Sequence, residues 1–366
     1  MQPVQDTNIA SYEELPSPRE LRREIPLAPS AQHSVLYGRQ TVQDILTGAD
    51  PRLMVVVGPC TIHDPEGAGY EFASRLAELS DELTDQLVLV MRVCFAKPRP
   101  SPEGWTGLVN DPDLDASFHV DKGLRMARRF LVRIAELGLP IGVEFVNPNL
   151  PQYLGDLVSW TCLGSRTLES ATFRDLASGL SMPVGFKNDP DGGLETAIAA
   201  IHSAMRAHKF VGLTEDGRQA IVSTRGNPDP HLILRGGVSP NYGSDDIASI
   251  LEMLARAKAT TRILVDCAHA NSEWDPRNQS KVFRDGLTQI EAGNLSLAGF
   301  LLESHLNWGS QPIRRSRDEM EYGVSVTDAC IDWTLTEELL REAHERYGAA
   351  IERLGDDAVR RGRFRV

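Results

Sequence analysis

Residues 87–92 read L-V-L-V-M-R, residues 183–187 read P-V-G-F-K and residues 231–235 read H-L-I-L-R. Each is a short apolar run that ends on a cation. Continuous apolar runs of this length suit strands buried on both faces, as in a parallel sheet. Lys and Arg are almost never buried without a partner, so cations at these ends point to a charged site where the strands finish. The runs extend to Leu87–Val93, Pro183–Lys187 and His231–Gly236, and five more of the same kind occur: Leu53–Gly58, Ile141–Phe145, Ser159–Ser165, Ile263–Cys267 and Leu297–Glu303. Helix-period segments lie between most of them, among them Tyr70–Glu82, Leu124–Leu137 and Ile247–Ala257, with apolar residues at i, i+3 and i+4. Eight strand–helix alternations predict an α/β fold, a closed (β/α)8 TIM barrel. A doubly wound open sheet is the structural alternative.

Two pieces stand apart from the alternation. Lys209–Thr214 and Gln219–Thr224 flank E-D-G-R, an Asp-Gly turn signal that predicts a hairpin inserted between the fifth and sixth strands, at about 209–224. Residues 1–50 precede the first strand, and 15–22 read as a Pro-containing start to a short helix. The expected division is an N-terminal extension (1–50) carrying oligomer or regulatory contacts, a catalytic barrel (51–345) and a C-terminal tail (346–366) that includes the basic stretch R-R-G-R-F-R.

The 366 residues are 41% hydrophobic and 24% charged, ordinary values for a folded chain long enough to bury a large core. The net charge of −13 disfavours nucleic acid and anionic membranes as partners. No apolar run approaches the ~18 residues of a membrane span, and the start MQPVQDTNIASYEEL has no basic stretch followed by an apolar one, as a secretory signal requires. Five cysteines, an odd number with no C-x-x-C pair, argue against a disulfide framework or zinc ribbon. A reducing cytoplasm is the expected location.

In a barrel of this kind reactive groups sit where the strands end. Here those ends carry Cys60 and His63, Arg92 with Lys97 and Arg99, Glu144, Arg166, Lys187, Arg235, Asp266 and His269, and Glu303 and His305. Any one alone reads as a loop or core residue; together they form two sets. Arg92, Lys97, Arg99, Arg166, Lys187 and Arg235 suit carboxylate and phosphate contacts. Cys60, His269, Glu303 and the later Asp328 offer a sulfur, an imidazole and two carboxylates, a donor set for a first-row divalent metal rather than Mg or Ca. The excess of positive charge fits two phosphorylated substrates, one also a carboxylate. No phosphate-binding P-loop and no dinucleotide fingerprint occurs. Because Lys187 ends a strand, a Schiff-base aldolase is a mechanistic alternative at this point.

The segments G-P-C-T-I-H-D (58–64), M-R-V-C-F-A-K-P-R-P (91–100), G-S-R-T-L-E-S (164–170), P-V-G-F-K-N (183–188), L-R-G-G (234–237), D-C-A-H-A-N-S (266–272), L-E-S-H (302–305) and S-V-T-D-A-C-I-D-W (325–333) resemble type I 3-deoxy-D-arabino-heptulosonate 7-phosphate (DAHP) synthase, in its aromatic-amino-acid-regulated branch. The resemblance runs from about residue 5 to about 345. It implies a transferase that condenses phosphoenolpyruvate with erythrose 4-phosphate and water to give DAHP and phosphate, the first step of the shikimate pathway of aromatic amino acid biosynthesis. The implied cofactor is a divalent ion (Mn, Co, Fe or Zn) on Cys60, His269, Glu303 and Asp328. Phosphoenolpyruvate would lie on Arg92, Lys97, Ser165, Arg166, Lys187 and Arg235, and erythrose 4-phosphate on Lys97, Pro98, Arg99, Pro100 and Asp328. The implied catalytic residues are Lys97, Cys60, His269 and Glu144. Glu144, water on the metal and the substrate phosphate can each direct the water that adds at C2.

The resemblance also implies a homodimer or homotetramer with an aromatic amino acid effector bound outside the barrel, near the hairpin and the N-terminal segment of a neighbouring subunit. The matching positions are Asp6, Asn147, Pro151, Gln152, Leu180, Ser181, Phe210, Gly212 and Val222. Asn147 stands where the family pattern has Asp, so a carboxylate for the effector's ammonium is missing; Gly212 leaves room that favours tyrosine over phenylalanine. Pro100 replaces a hydroxyl residue of the family pattern and lacks an N–H, which makes the aldehyde the open part of the specificity. The alternative readings are a paralogue acting on another aldose phosphate in specialised metabolism and a non-catalytic regulatory homologue.

Overall fold

The computed structural model describes residues 4–96, 104–313 and 319–355. Eight parallel strands close into a barrel: β1 (Leu53–Gly58), β2 (Leu87–Val93), β3 (Ile141–Glu144), β4 (Trp160–Leu163), β5 (Val184–Lys187), β8 (Pro230–Leu234), β9 (Ile263–Asp266) and β10 (Leu297–Glu303). Between β5 and β8, β6 (Lys209–Leu213) and β7 (Gln219–Ser223) form the expected antiparallel hairpin, with Val211 opposite Ile221. The barrel shuts where β1 pairs with β10, Gly58 opposite Glu303. The (β/α)8 reading is correct and the open sheet is excluded.

The helices are α1 (Pro18–Glu24), α2 (Pro29–Thr47), α3 (Ala68–Leu83), α4 (Val120–Glu136), α5 (Leu150–Leu154), α6 (Ala171–Ala177), α7 (Glu195–Ala204), α8 (Ser244–Ala257), α9 (Gln279–Glu291) and α10 (Trp333–Leu354). Their apolar stripes cover the outward faces of the strands: Phe72 and Leu76 of α3, with Phe130 of α4, share a core with Leu53, Val55 and Val57 of β1.

Side chains alternate across a strand, and here the alternation places the charges. Met54 and Val56 of β1, Val88 and Val90 of β2, Trp160 and Cys162 of β4, Ile233 of β8, Leu264 of β9 and Leu301 of β10 form a separate core inside the barrel. Arg92, Arg235, Asp266 and Glu303 continue the same parity one step further along their strands. The strand phase that fills the barrel with apolar side chains therefore ends, at the C-terminal rim, on the polar ones.

Residues 1–50 are not simply an addition outside the barrel. Val42, Ile45 and Leu46 of α2 belong to the interior core, and Arg262 donates to the Ile45 carbonyl at 3.0 Å. α2 thus closes the N-terminal end of the barrel, where strands start without covering loops. The expected boundary at 345 falls inside α10, whose buried Leu339, Leu340, Ala343, Tyr347 and Ile351 run through it. Among the described residues no helix is long and apolar enough to cross a membrane.

Candidate active site

The rim assembles as a line of alternating charge. Glu144 Oε2 lies 3.5 Å from Lys187 Nζ, and Lys187 Nζ lies 3.2 Å from Asp266 Oδ2. Asp266 Oδ2 is 3.0 Å from His269 Nδ1, His269 Nε2 is 3.8 Å from Glu303 Oε1, and Glu303 Oε1 accepts from Arg92 Nη2 at 2.8 Å. Arg92, Lys187, Asp266 and Glu303 are all buried. Burial by itself pushes the Arg92 guanidinium down, but Glu303 and its neighbours hold it well above its ordinary value. Lys187 is likewise penalised by burial and raised on balance by Glu144 and Asp266. Asp266 stays well below the usual carboxylate range, because His269 and Lys187 outweigh its desolvation. The cations are thus kept charged in the interior by carboxylates a few ångströms away.

Beside this line the donor atoms of Cys60, Glu303 and Asp328 lie within 4.8 Å of one another. The loop after β10 makes this possible by folding back across the barrel mouth. The Asp328 amide donates to Cys60 Sγ at 3.3 Å, the Cys60 amide donates to Cys330 Sγ at 3.4 Å, and the Thr61 and Thr327 hydroxyls are 2.8 Å apart. Arg92 also donates to the carbonyls of Pro59 and Cys60, fixing the loop that carries the thiol. Gln279 holds Glu303 by both backbone groups, at 3.0 and 2.9 Å. A sulfur and two carboxylate oxygens in one buried corner fit a first-row divalent ion. His269, expected as a fourth donor, stands one place outside this trio: its ring is turned with Nδ1 towards Asp266 and reaches Glu303 by Nε2.

Ser165 is half-buried and Arg166 exposed on the loop after β4. Arg235, just past β8, is buried, and its guanidinium makes no hydrogen bond or ion pair to any described residue. Burial lowers its pKa, with Asp266 acting against that. Such a cation invites an anion. Lys97, Pro98, Arg99 and Pro100 lie outside the described residues.

The sequence reading assigned no role to several groups that build the site. Asp266 was placed at a strand end without a role. Asn188 accepts from the Arg235 amide at 2.8 Å and donates to the Gly236 carbonyl at 3.0 Å; Asn271 donates to Leu234 and Asp266 carbonyls at 3.1 and 3.0 Å. Both asparagines sit in the quoted motifs; for Asn188 the signal available was a polar residue directly after a buried strand, whereas Asn271 lies in the turn that follows β9.

Away from the mouth, a cavity of about 440 Å³ lies between the hairpin and α5–α6. Pro151, Gln152, Leu180, Ser181, Phe210, Gly212 and Val222 line it, together with Arg22, Arg39 and Asp156. Asn147 and Asp6, also expected there, do not. The Asn147 side chain accepts from the Asn149 amide at 2.9 Å, and Asp6 is exposed in the N-terminal segment.

Residues 26–341 match the DAHP synthetase I family. The chain belongs to that family. It is 47% identical to the Tyr-sensitive phospho-2-dehydro-3-deoxyheptonate aldolase of Escherichia coli over 342 residues, 93% of this chain and 96% of that one. It is 46% identical to the Phe-sensitive aldolase of the same organism, over 92% of this chain and 95% of that one. The structure of phospho-2-dehydro-3-deoxyheptonate aldolase from Francisella tularensis superposes with a TM-score of 0.90 at 39% identity, covering 94% of this chain and 99% of that one. In this member of the DAHP synthetase I family the rim cations and the Cys60–Glu303–Asp328 corner belong to one barrel mouth.

Proposed function

We propose that the barrel mouth condenses phosphoenolpyruvate with erythrose 4-phosphate and water, giving DAHP and phosphate. The observation that carries this reading is the meeting of buried Arg92, Lys187 and Arg235 with the Cys60–Glu303–Asp328 donor corner at the C-terminal ends of the strands. The family and the names of the relatives support the same reaction over the paralogue and non-catalytic alternatives.

Cys60, Glu303 and Asp328, with His269 turned in, would hold the divalent ion. When bound, such an ion draws electron density from the aldehyde oxygen. Arg92, Arg166, Lys187 and Arg235, with Ser165, bind the phosphate and carboxylate of phosphoenolpyruvate and orient its C3 towards the aldehyde. Holding two anions that repel one another in one place is most of the work. Lys97, with Pro98, Arg99 and Pro100, takes the sugar phosphate, and Lys97 donates a proton to the forming alkoxide. Asp328 faces the aldehyde end. C3 bonds to the aldehyde carbon, water adds at C2, and the C2–O bond to phosphate breaks as phosphate leaves. Glu144, next to Lys187, takes the proton of the adding water.

Phosphate release from phosphoenolpyruvate with a panel of four- and five-carbon aldose phosphates tests this. Release with erythrose 4-phosphate, silenced by chelator and insensitive to borohydride, supports it. Borohydride trapping of a lysine adduct refutes it in favour of a Schiff-base aldolase.

We infer also that the 440 Å³ cavity takes an aromatic amino acid. Relatives carry the names Tyr-sensitive and Phe-sensitive, and seven of the nine effector positions line the cavity. Gly212, in the cavity wall, favours tyrosine over phenylalanine. Exposed Val4, Ile9, Tyr12 and Leu15 along the N-terminal segment support a homo-oligomer, dimer or tetramer. The buried free cysteines support a reducing, cytoplasmic setting.

A further inference from the structure

Between β9 and α9 the chain turns with three non-glycine residues in left-handed backbone: His269 (φ 56°), Glu273 (φ 54°) and Trp274 (φ 63°). Each such residue costs on the order of 1–3 kcal/mol, a cost that persists only where the surroundings enforce it. They do so here. The Trp274 amide donates to the His269 carbonyl at 2.9 Å, and Asn278 donates to the Ser272 carbonyl at 3.0 Å. The loop after β8 is pressed against the same turn: Gly236 has φ +75°, and a Cβ there would stand 2.6 Å from the Asn271 nitrogen. Only glycine lets the two loops approach this closely.

The outcome of this strain is the position of one indole. The Arg235 guanidinium carbon lies 5.6 Å from the centre of the Trp274 ring, and the His269 ring meets the indole edge-on at 5.9 Å. Burial does not account for the placement, because Trp274 remains 63% exposed. Arg235 is buried and has no hydrogen-bond or ion-pair partner among the described residues, and the Trp274 indole is an aromatic neighbour of its guanidinium at the mouth. A cation this close to an indole is attracted by its π-cloud.

We propose that Trp274 is a positioning residue for Arg235: its ring restrains the guanidinium at the mouth so that the N–H donors stay free for a substrate anion. This rests on the reading that Arg235 binds phosphoenolpyruvate. A guanidinium without that restraint must be ordered by the substrate itself, and the cost appears in binding and not in the chemical step.

The test uses the full-length, metal-loaded protein as wild type, Trp274→Ala and Trp274→Phe. Calorimetry gives phosphoenolpyruvate affinity and steady-state assays give KM and kcat. Trp274→Ala is expected to weaken phosphoenolpyruvate binding and raise its KM about three- to thirty-fold, with kcat within about twofold. Trp274→Phe keeps an aromatic face and restores most of the loss; phosphoenolpyruvate also changes the indole emission of wild type by a component that Trp274→Phe lacks. Unchanged affinity in Trp274→Ala, a loss confined to kcat, or no rescue by Phe overturns the proposal. If Trp274→Ala does not fold, the emission difference between wild type and Trp274→Phe decides it. A wild type that binds phosphoenolpyruvate without turning it over refutes the synthase reading while leaving the affinities to judge Trp274. A wild type that does not bind it refutes both.

Discussion

The Lys187 ammonium is held 3.2 Å from the Asp266 carboxylate, with both side chains buried at the barrel rim. The same Asp266 oxygen is 3.0 Å from His269 Nδ1. One carboxylate therefore holds both a buried ammonium and an imidazole that reaches towards the donor corner. Asp266→Asn is expected to lose both at once. Breaking a buried pair leaves an uncompensated charge and costs about 3–5 kcal/mol of stability. A thermal melt and a phosphoenolpyruvate titration on the same sample check this; a variant with unchanged melting and affinity would contradict the arrangement.

Chelation is expected to abolish turnover, and Mn²⁺, Co²⁺, Fe²⁺ or Zn²⁺ to restore it. Cys60→Ala loses bound metal and activity together, because the thiolate is the soft donor of the trio. Metal content by elemental analysis, read alongside activity, checks the pairing. Full activity in a verified metal-free sample would refute it.

Arg166→Ala and Lys187→Ala are expected to impair phosphoenolpyruvate use. A lost charge-assisted contact is worth roughly 1.5–3 kcal/mol, about one to two decades in kcat/KM. Lys187→Ala also removes the ammonium that stands between the Glu144 and Asp266 carboxylates, so its melting temperature falls, whereas exposed Arg166 can be removed with little loss of stability. Wild-type kinetics in either variant removes that residue from the site.

Tyrosine is expected to inhibit at lower concentration than phenylalanine. At Gly212 a Cβ would stand 2.7 Å from Val222 Cγ2, and both residues line the cavity proposed to take the effector. Gly212→Ser therefore weakens the tyrosine response and leaves uninhibited kcat unchanged. Inhibition curves with each aromatic amino acid decide this, and micromolar phenylalanine inhibition of the wild type would refute the tyrosine preference.

Inside the barrel Trp160 donates to His231 Nε2 at 3.0 Å, and burial lowers the His231 pKa to about 4. The unfolded chain takes up that proton near the ordinary value of about 6.5. Between these values the unfolded state binds more protons, so stability falls as pH drops from about 6.5 to about 4, by roughly 3 kcal/mol in total; above pH 6.5 the group has no effect. His231→Gln is expected to flatten this part of the pH–stability curve in denaturant titrations. An unchanged slope would show that His231 does not carry it.

The eight strands were legible because each is a continuous apolar run, a signal that needs no partner to be read. The rim residues Arg92, Lys187 and Glu303 were legible for the opposite reason, as charges where such runs predict none. Asp266 was visible as a strand end, but its role depends on Lys187 and His269 arriving from elsewhere, which spacing along the chain does not record. His269 was assigned by motif; the turn of its ring towards Asp266 follows from a left-handed backbone that the local H-A-N sequence does not announce. α2 went unread because its apolar residues fill a hole that exists only once the barrel is closed.

The pairing of β1 with β10 also dictates an order of assembly. β1 is among the first strands to leave the ribosome, yet the edge it shares with β10 stays open until residue 303 has been made, a long-range closure of the kind that folds slowly and leaves a strand edge unpaired meanwhile. Cys60 follows the first strand, and Glu303 and Asp328 end and follow the last. The donor corner is therefore built across the barrel's seam, and an ion held there by Cys60, Glu303 and Asp328 would clasp the two ends of the sheet together, so that loading the site would also lock the fold.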